Sequence, residues 1–322
     1  DHYFPYQEVI KPMAELGIFG TVIPEQYGGN EMGWLATMII TEEIARASSS
    51  LRVQVNMEAI GSAFTILQNG SDDLKGKYIP RLANAEHLGS LAITEPNAGS
   101  DIMAMKARAT DKGDHWLING TKTWISNSSI ADICIFFAYT DRSKHGKGLS
   151  AFVIELKEFN GITTNDLDKL GSRSSPTGEI ILEDTKVPKG NILGQPGDGA
   201  KILFSVLNQT RLSAAAGGIG LAQACLDTVI TYCKEREQFG KPIGEFQMNQ
   251  DLIAQISAEI EAARFMVYKA AWQKDNGNLE NTLEVAHAKY LAGEVAVKAS
   301  QVAMNILGAY GYSVEYPVAR YY

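Results

Sequence analysis

Two long apolar stripes at helical spacing constrain this chain more than any other feature. Leu252, Ile253, Ile256, Ile260, Ala263 and Val267 share one face, and Val285, Ala288, Leu291, Val295, Ala299, Val302 and Ile306 share another. Residues three and four apart stack on one side of a helix, so each stripe must be buried against a neighbouring helix. Their alanines permit close approach, which points to a bundle. Strand-type runs are confined to the stretch before them. Ile133 to Tyr139, Leu149 to Leu156 and Glu179 to Leu182 read as strands. Trp116 to Gly120 followed by Thr121 to Ser126 reads as a hairpin about the Asn119-Gly120 step. Before about Leu88 the spacing is helical again, with one helix expected from about Val53 to Gln68 and a short one from Leu74 to Leu82. The expectation is an α+β chain of three parts: an N-terminal helical domain over 1–88, a middle β-barrel or sheet domain over 89–196, and a C-terminal four-helix bundle over 197–322.

Composition narrows the function classes. With 45% hydrophobic and 20% charged residues over 322 positions, the chain has the make-up of a folded globular protein. Its 29 basic and 37 acidic residues leave a net charge of −8 and no basic run, which argues against nucleic-acid binding. No apolar run approaches the roughly 18–20 residues of a membrane span, so no membrane insertion is expected. Cys134, Cys225 and Cys233 lack metal-type spacing and read as free thiols of a reducing compartment. The five histidines, His2, His87, His115, His145 and His287, are scattered, and no metal site is expected. The chain begins at Asp1 without a targeting segment and ends at Ala319-Arg320-Tyr321-Tyr322 within continuing structure, so it is expected to be incomplete at both ends.

Three motifs suggest chemistry. From Leu91 to Asp101 an apolar strand end runs into a Pro/Asn/Gly/Ser loop, which exposes backbone N–H groups and hydroxyls. In Thr123-Trp124-Ile125-Ser126-Asn127 an indole stands beside a hydroxyl, able to wall an aromatic cofactor and donate one hydrogen bond. Arg236 to Pro242, followed by Gln247, sets a cation and an aromatic beside a Gly-Lys-Pro break. Singly, these also fit a plain turn, a core tryptophan and a helix terminus. Together, and with Ile23 to Gly29, Asn119 to Asn127, Gly171 to Glu179 and Leu307 to Pro317, they resemble the flavin-dependent acyl-CoA dehydrogenases over essentially the whole chain.

The resemblance implies FAD and an acyl-CoA thioester, with a carboxylate taking the α-proton and the β-hydride passing to flavin N5. By resemblance, Leu91, Ala92, Ile93 and Thr94 line the flavin, and Trp124, Ile125 and Ser126 cover it. Ser100 lies near the phosphopantetheine or pyrophosphate, and Asn208 and Arg211 match a substrate-contacting helix. Arg236, Phe239 and Gln247, with Asn305, Ile306, Leu307, Gly308 and Ala309, match positions that touch FAD across a subunit boundary. That implies a homo-oligomer, commonly a tetramer. Gly308-Ala309-Tyr310-Gly311 departs here from the common Gly-Gly-Asn-Gly. Thr210 occupies one family position of the catalytic glutamate and the other would fall beyond Tyr322, so the base is expected outside this chain; Glu95 is the tempting substitute, but it sits in the flavin-loop motif. An electron-transferring flavoprotein is the implied electron acceptor. A bacterial cytoplasm suits these features, and so does a mitochondrial matrix.

Arg52 bears on the substrate. The segment Ser48 to Gln54 resembles the glutaryl-CoA dehydrogenase branch, whose arginine here holds a distal carboxylate. A buried guanidinium is costly unless a carboxylate meets it, and its planar fork suits bidentate pairing. Decarboxylating members place Ser directly after this Arg and Glu seven residues before it. Val53 and Ala45 stand there instead, so the expected product is glutaconyl-CoA without loss of CO₂. Cyclic acyl-CoA substrates are the rival within the family; Asn56 would be a neutral residue near such a ring, and Glu58 reads as a helix-surface or interhelical residue. A non-catalytic acyl-CoA-binding or assembly subunit is the alternative of another class.

Overall fold

The computed structural model describes residues 3–322, so His2 lies outside the described residues. The N-terminal helices are Lys11–Glu15 (α1), Gly33–Ala47 (α2), Ser49–Val55 (α3), Thr65–Asn69 (α4) and Asp72–Ala83 (α5). The Ser71 hydroxyl caps α5 by accepting the Leu74 N–H at 3.3 Å, and Asp72 and Asp73 complement the helix dipole in its first turn. The helix expected from Val53 starts earlier, at Ser49, and places Arg52 within a helix. Between α3 and α4 the chain winds as a π-helix over Asn56–Phe64, all nine residues of which are buried. The wider i→i+5 turn rotates side chains away from the ordinary helical period. It turns the polar Asn56, Glu58 and Ser62 inward.

Among the described residues the middle region forms one eight-stranded sheet: Gly89–Ala92 (β1), Arg108–Asp111 (β2), His115–Ser126 (β3), Ile133–Tyr139 (β4), Leu149–Glu155 (β5), Ile162–Asp166 (β6), Thr177–Pro188 (β7) and Ile192–Leu193 (β8). The order is β6-β7-β3-β2-β4-β5-β8, with β1 pairing parallel to β4 from Gly89 opposite Ile133 to Ala92 opposite Phe136. Every residue of β4 is buried, as its unbroken apolar run requires. Trp116 meets Phe152 edge-on at 5.5 Å in the sheet's core, beside Ile118, Ile180 and Leu182.

The expected hairpin at Asn119-Gly120 is not formed. β3 runs straight through, with a bulge against β7 between Ile118 and Gly120. The Asn119 side chain bridges the irregularity, donating to Asp184 Oδ1 at 3.0 Å and accepting the Asp184 N–H at 2.9 Å. Gly120 is required by contact rather than by a turn: a Cβ there would stand 2.5 Å from that of Ala107.

The C-terminal region holds Gly199–Glu235 (α6), the short hairpin Glu237–Gln238 (β9) and Lys241–Pro242 (β10), then Gln247–Asp275 (α7), Thr282–Leu307 (α8) and Val318–Tyr321 (α9). By length and composition α6 is apolar enough to cross a membrane, contrary to the expectation that no apolar run reaches span length; 56% of its most apolar window is buried within the protein.

By compactness the chain divides into two units, Asp1–Gly33 with Val53–Thr210, and Trp34–Arg52 with Arg211–Tyr322. In the second unit, buried Glu42 of α2 accepts from Arg264 Nε and from the Tyr268 hydroxyl of α7, each at 2.8 Å.

Candidate active site

In the first unit, two stretches of sheet end are tied together by buried charge. β1 stops at Ala92, and the chain continues through Ile93 and Thr94. The Thr94 carbonyl accepts the Thr123 N–H at 2.9 Å. Lys122 Nζ, wholly buried, donates to the Ile93 carbonyl at 3.0 Å and to Glu95 Oε1 at 2.9 Å. Glu95 also accepts the N–H groups of Lys106 at 2.6 Å and Ala107 at 2.9 Å. Buried ions are tolerated when paired and hydrogen-bonded in this way. Burial pushes the Glu95 carboxyl up, but the Lys122 charge and the backbone donors outweigh it and hold it below its ordinary value. Burial lowers Lys122 to about 8 despite the Glu95 charge. Glu95 is therefore a saturated, ionised tether, poorly placed to act as the base.

Beside this tether β3 slips register between Lys122 and Ile125. Trp124 adopts φ +60 there and is 61% exposed. A bulky residue with positive φ is strained, and the return on that strain is an aromatic face kept out of the core. Leu91, Ile93, Thr94 and Ser126 are half-buried around the same sheet end, while Ala92 and Ile125 are buried beneath it. The Ser126 carbonyl accepts the Ser90 hydroxyl at 2.9 Å, which joins β1 to the end of β3. The sheet end thus presents an indole face, an apolar strand edge and two hydroxyls. Ser100 lies exposed in the loop that follows.

A second polar network lies underneath and was missed in the sequence. The buried Asn127 amide exchanges two hydrogen bonds with Gln54, at 3.0 and 2.9 Å, and donates to the Gly89 carbonyl at 3.0 Å. Glu58 Oε2 accepts the Gly89 N–H at 2.7 Å. Glu58 is fully buried, which removes the helix-surface alternative and leaves the interior one. Burial raises its carboxyl well above the ordinary value, the Gly89 N–H opposes this, and the nearby Asp132 charge adds to the rise. The usable signal was that Lys122 and Asn127 both fall within the motif Asn119 to Asn127.

The second unit gathers another set. The Arg236 guanidinium lies 5.6 Å from the centre of the Tyr310 ring, which in turn meets Tyr316 edge-on at 5.6 Å. These residues and Tyr232 line a cavity of about 540 Å³. Asn305, Gly308 and Ala309 are exposed just before Tyr310, whereas Ile306 is half-buried and Leu307 is buried. Phe239, at the tip of the β9–β10 hairpin with φ +54, is 94% exposed, and Gln247 is exposed at the start of α7. Of the residues expected on α6, Asn208 is buried and Arg211 exposed.

Arg52 is half-buried, and burial lowers its pKa. Among the described residues no carboxylate pairs with its guanidinium. Val53 is half-buried and Ala45 buried. Cys134, Cys225 and Cys233 are free and buried, and burial pushes the Cys134 and Cys225 thiols up to about 12. Among the described residues no group of three or more His, Cys, Asp or Glu could hold a metal ion.

Three family models match successive parts of the chain: acyl-CoA dehydrogenase N-terminal domain over residues 1–86, middle domain over 90–185 and C-terminal domain over 197–322. A glutaryl-CoA dehydrogenase from Desulfococcus multivorans is 65% identical over 100% of this chain and 83% of its own length. A solved complex of glutaryl-coenzyme A dehydrogenase with glutaryl-CoA superposes with a TM-score of 0.99 at 65% identity, covering 100% of this chain and 82% of that one. A glutaryl-CoA dehydrogenase from Mycobacterium smegmatis solved with FADH2 gives a TM-score of 0.93 at 28% identity, covering 99% of this chain and 81% of that one.

Proposed function

The chain belongs to the acyl-CoA dehydrogenase family, and from that membership we propose that it oxidises glutaryl-CoA across its α,β bond. It is an FAD-dependent oxidoreductase, and the residues present fit that cofactor. A strained, outward-facing Trp124 ring beside an apolar strand edge and the Thr94 and Ser126 hydroxyls suits a flat heteroaromatic ring with a polar rim. Leu91 to Thr94 and Trp124 to Ser126 would hold the ring. Arg236, Phe239, Gln247 and Asn305 to Ala309 of a neighbouring copy would hold the remainder. The chemistry FAD supplies when bound is acceptance of the β-hydride at N5.

The chain's own residues supply position and charge. The Lys122–Glu95 pair fixes the loop that carries Ile93 and Thr94, so its donors are aligned before substrate arrives. Ser100 is proposed to lie near the phosphopantetheine or pyrophosphate of the thioester, and Asn208 and Arg211 of α6 are proposed to contact the substrate. Among the described residues no carboxylate is assigned as the base, since Glu95 is held ionised by Lys122 and two N–H groups.

The observation that carries the substrate reading is Arg52, whose charge is disfavoured by burial and which no carboxylate among the described residues meets. The distal carboxylate of a glutaryl group would meet it, and the 65% identity to a glutaryl-CoA dehydrogenase supports that reading. A hydrocarbon or cyclic acyl group would leave it unpaired. Arg52→Leu is expected to cut kcat/KM for glutaryl-CoA by about a hundredfold, the weight of a desolvated charge-assisted pair, and to affect butyryl-CoA far less. Equal losses on both substrates would overturn the reading. Apolar Val53 and Ala45 give the product carboxylate fewer polar neighbours, so the proposed product is glutaconyl-CoA; a predominance of crotonyl-CoA would refute this. Bleaching of flavin absorbance on adding the thioester separates an enzyme from a passive acyl-CoA-binding subunit. The proposed setting is a bacterial cytoplasm, supported by three free thiols and a bacterial relative, with an electron-transferring flavoprotein as acceptor.

A further inference from the structure

Helix α6 carries three glycines within four positions, Gly217, Gly218 and Gly220. A glycine inside a helix costs about 1 kcal/mol relative to alanine, so each needs a compensating contact. For two of them the contact is backbone. A Cβ at position 218 would stand 2.9 Å from the Ala292 carbonyl oxygen of α8, and one at position 220 would stand 2.1 Å from the Glu42 carbonyl oxygen of α2. These glycines let helices approach.

Gly217 differs. The atoms nearest a Cβ there are all from the Arg52 side chain: Nε at 2.8 Å, Cδ at 3.0 Å and Cζ at 3.4 Å. The stem and head of the arginine lie on bare helix backbone. We propose that Gly217 is a specificity-determining residue, which by lacking a side chain seats the Arg52 guanidinium for the distal carboxylate of the substrate. This rests on the reading of Arg52 given above.

The physical reason is that the arginine is the softer partner. An added methyl cannot coexist with Nε at that distance, and rotating a side chain is easier than moving a helix backbone. The guanidinium would swing off its seat while α6, now with a better helix former, stayed intact. Bidentate pairing with a carboxylate tolerates little misorientation, so the loss falls on substrates that end in a carboxylate. Substrates without one do not use the fork.

The test compares the flavin-loaded parent, Gly217→Ala, Gly217→Ser, Arg52→Leu and the Gly217→Ala/Arg52→Leu double variant on glutaryl-CoA and butyryl-CoA. Gly217→Ala is expected to lower the glutaryl-to-butyryl ratio of kcat/KM about tenfold or more, mainly by raising KM for glutaryl-CoA. Gly217→Ser adds a hydroxyl on the same Cβ and is expected to lower the ratio at least as far. In the Arg52→Leu background, Gly217→Ala is expected to change the ratio no further. An unchanged ratio in both single Gly217 variants, or additive losses in the double variant, would overturn the proposal. If the ratio survives Gly217→Ala while Arg52→Leu destroys it, only Gly217's role falls. If Arg52→Leu leaves the ratio intact, the substrate reading falls and takes this one with it.

Discussion

At the scale of single residues, the site depends on buried polar groups that differ in how they are satisfied. Lys122 and Glu95 each have several partners, and losing one partner strands the other. Lys122→Met is expected to lower unfolding free energy by about 3–5 kcal/mol, with Glu95→Gln in the same chain recovering part of it, as read by urea denaturation. Glu58 behaves oppositely. Its folded pKa stands above the ordinary 4.5, so between these values the folded chain keeps a proton that the unfolded chain has lost. Its contribution is fully present below about pH 4.5 and is lost as pH rises through the folded pKa. Glu58→Gln has no such proton, so its urea midpoint relative to the parent should climb as the pH rises above the ordinary 4.5. A difference that stays constant with pH would show that the carboxyl does not titrate as described.

At the scale of elements, β3 shows where local rules yield to packing. Asn119-Gly120 has hairpin chemistry, yet the strand continues because Ala107 needs the space above Gly120 and Asp184 satisfies the Asn119 amide. Gly120→Val is expected to destabilise the protein by about 1–3 kcal/mol through overpacking, and Ala107→Gly to restore part of the loss, read by thermal unfolding. The π-helical segment Asn56–Phe64 is the second case. All nine of its residues are buried, Glu58 among them, and the Glu58 carboxylate there accepts the Gly89 N–H. The flavin-side motifs, Leu91 to Thr94 and Trp124 to Ser126, were legible as strings. The pair that joins them, Lys122 and Glu95, was not, since nothing in local spacing marks a contact between residues 27 positions apart.

At the scale of the whole molecule, Phe239 is 94%, Val314 93% and Tyr312 85% exposed, an apolar set that covering by a second copy would bury. The proposed state is a homotetramer. Sedimentation at micromolar concentration should give about four times the monomer mass, and Phe239→Ser should shift it downward and weaken flavin retention. The order of helical, sheet and helical regions was readable from the sequence alone, because side-chain periodicity is a local property of the chain. So were the motif strings and the absence of metal-type spacing. Which polar residues are buried, which glycines make room and where Arg52 rests were decided only by the tertiary structure. Residues 52 and 217 share no local pattern, and only the path of the folded chain lays a guanidinium on a bare turn of helix.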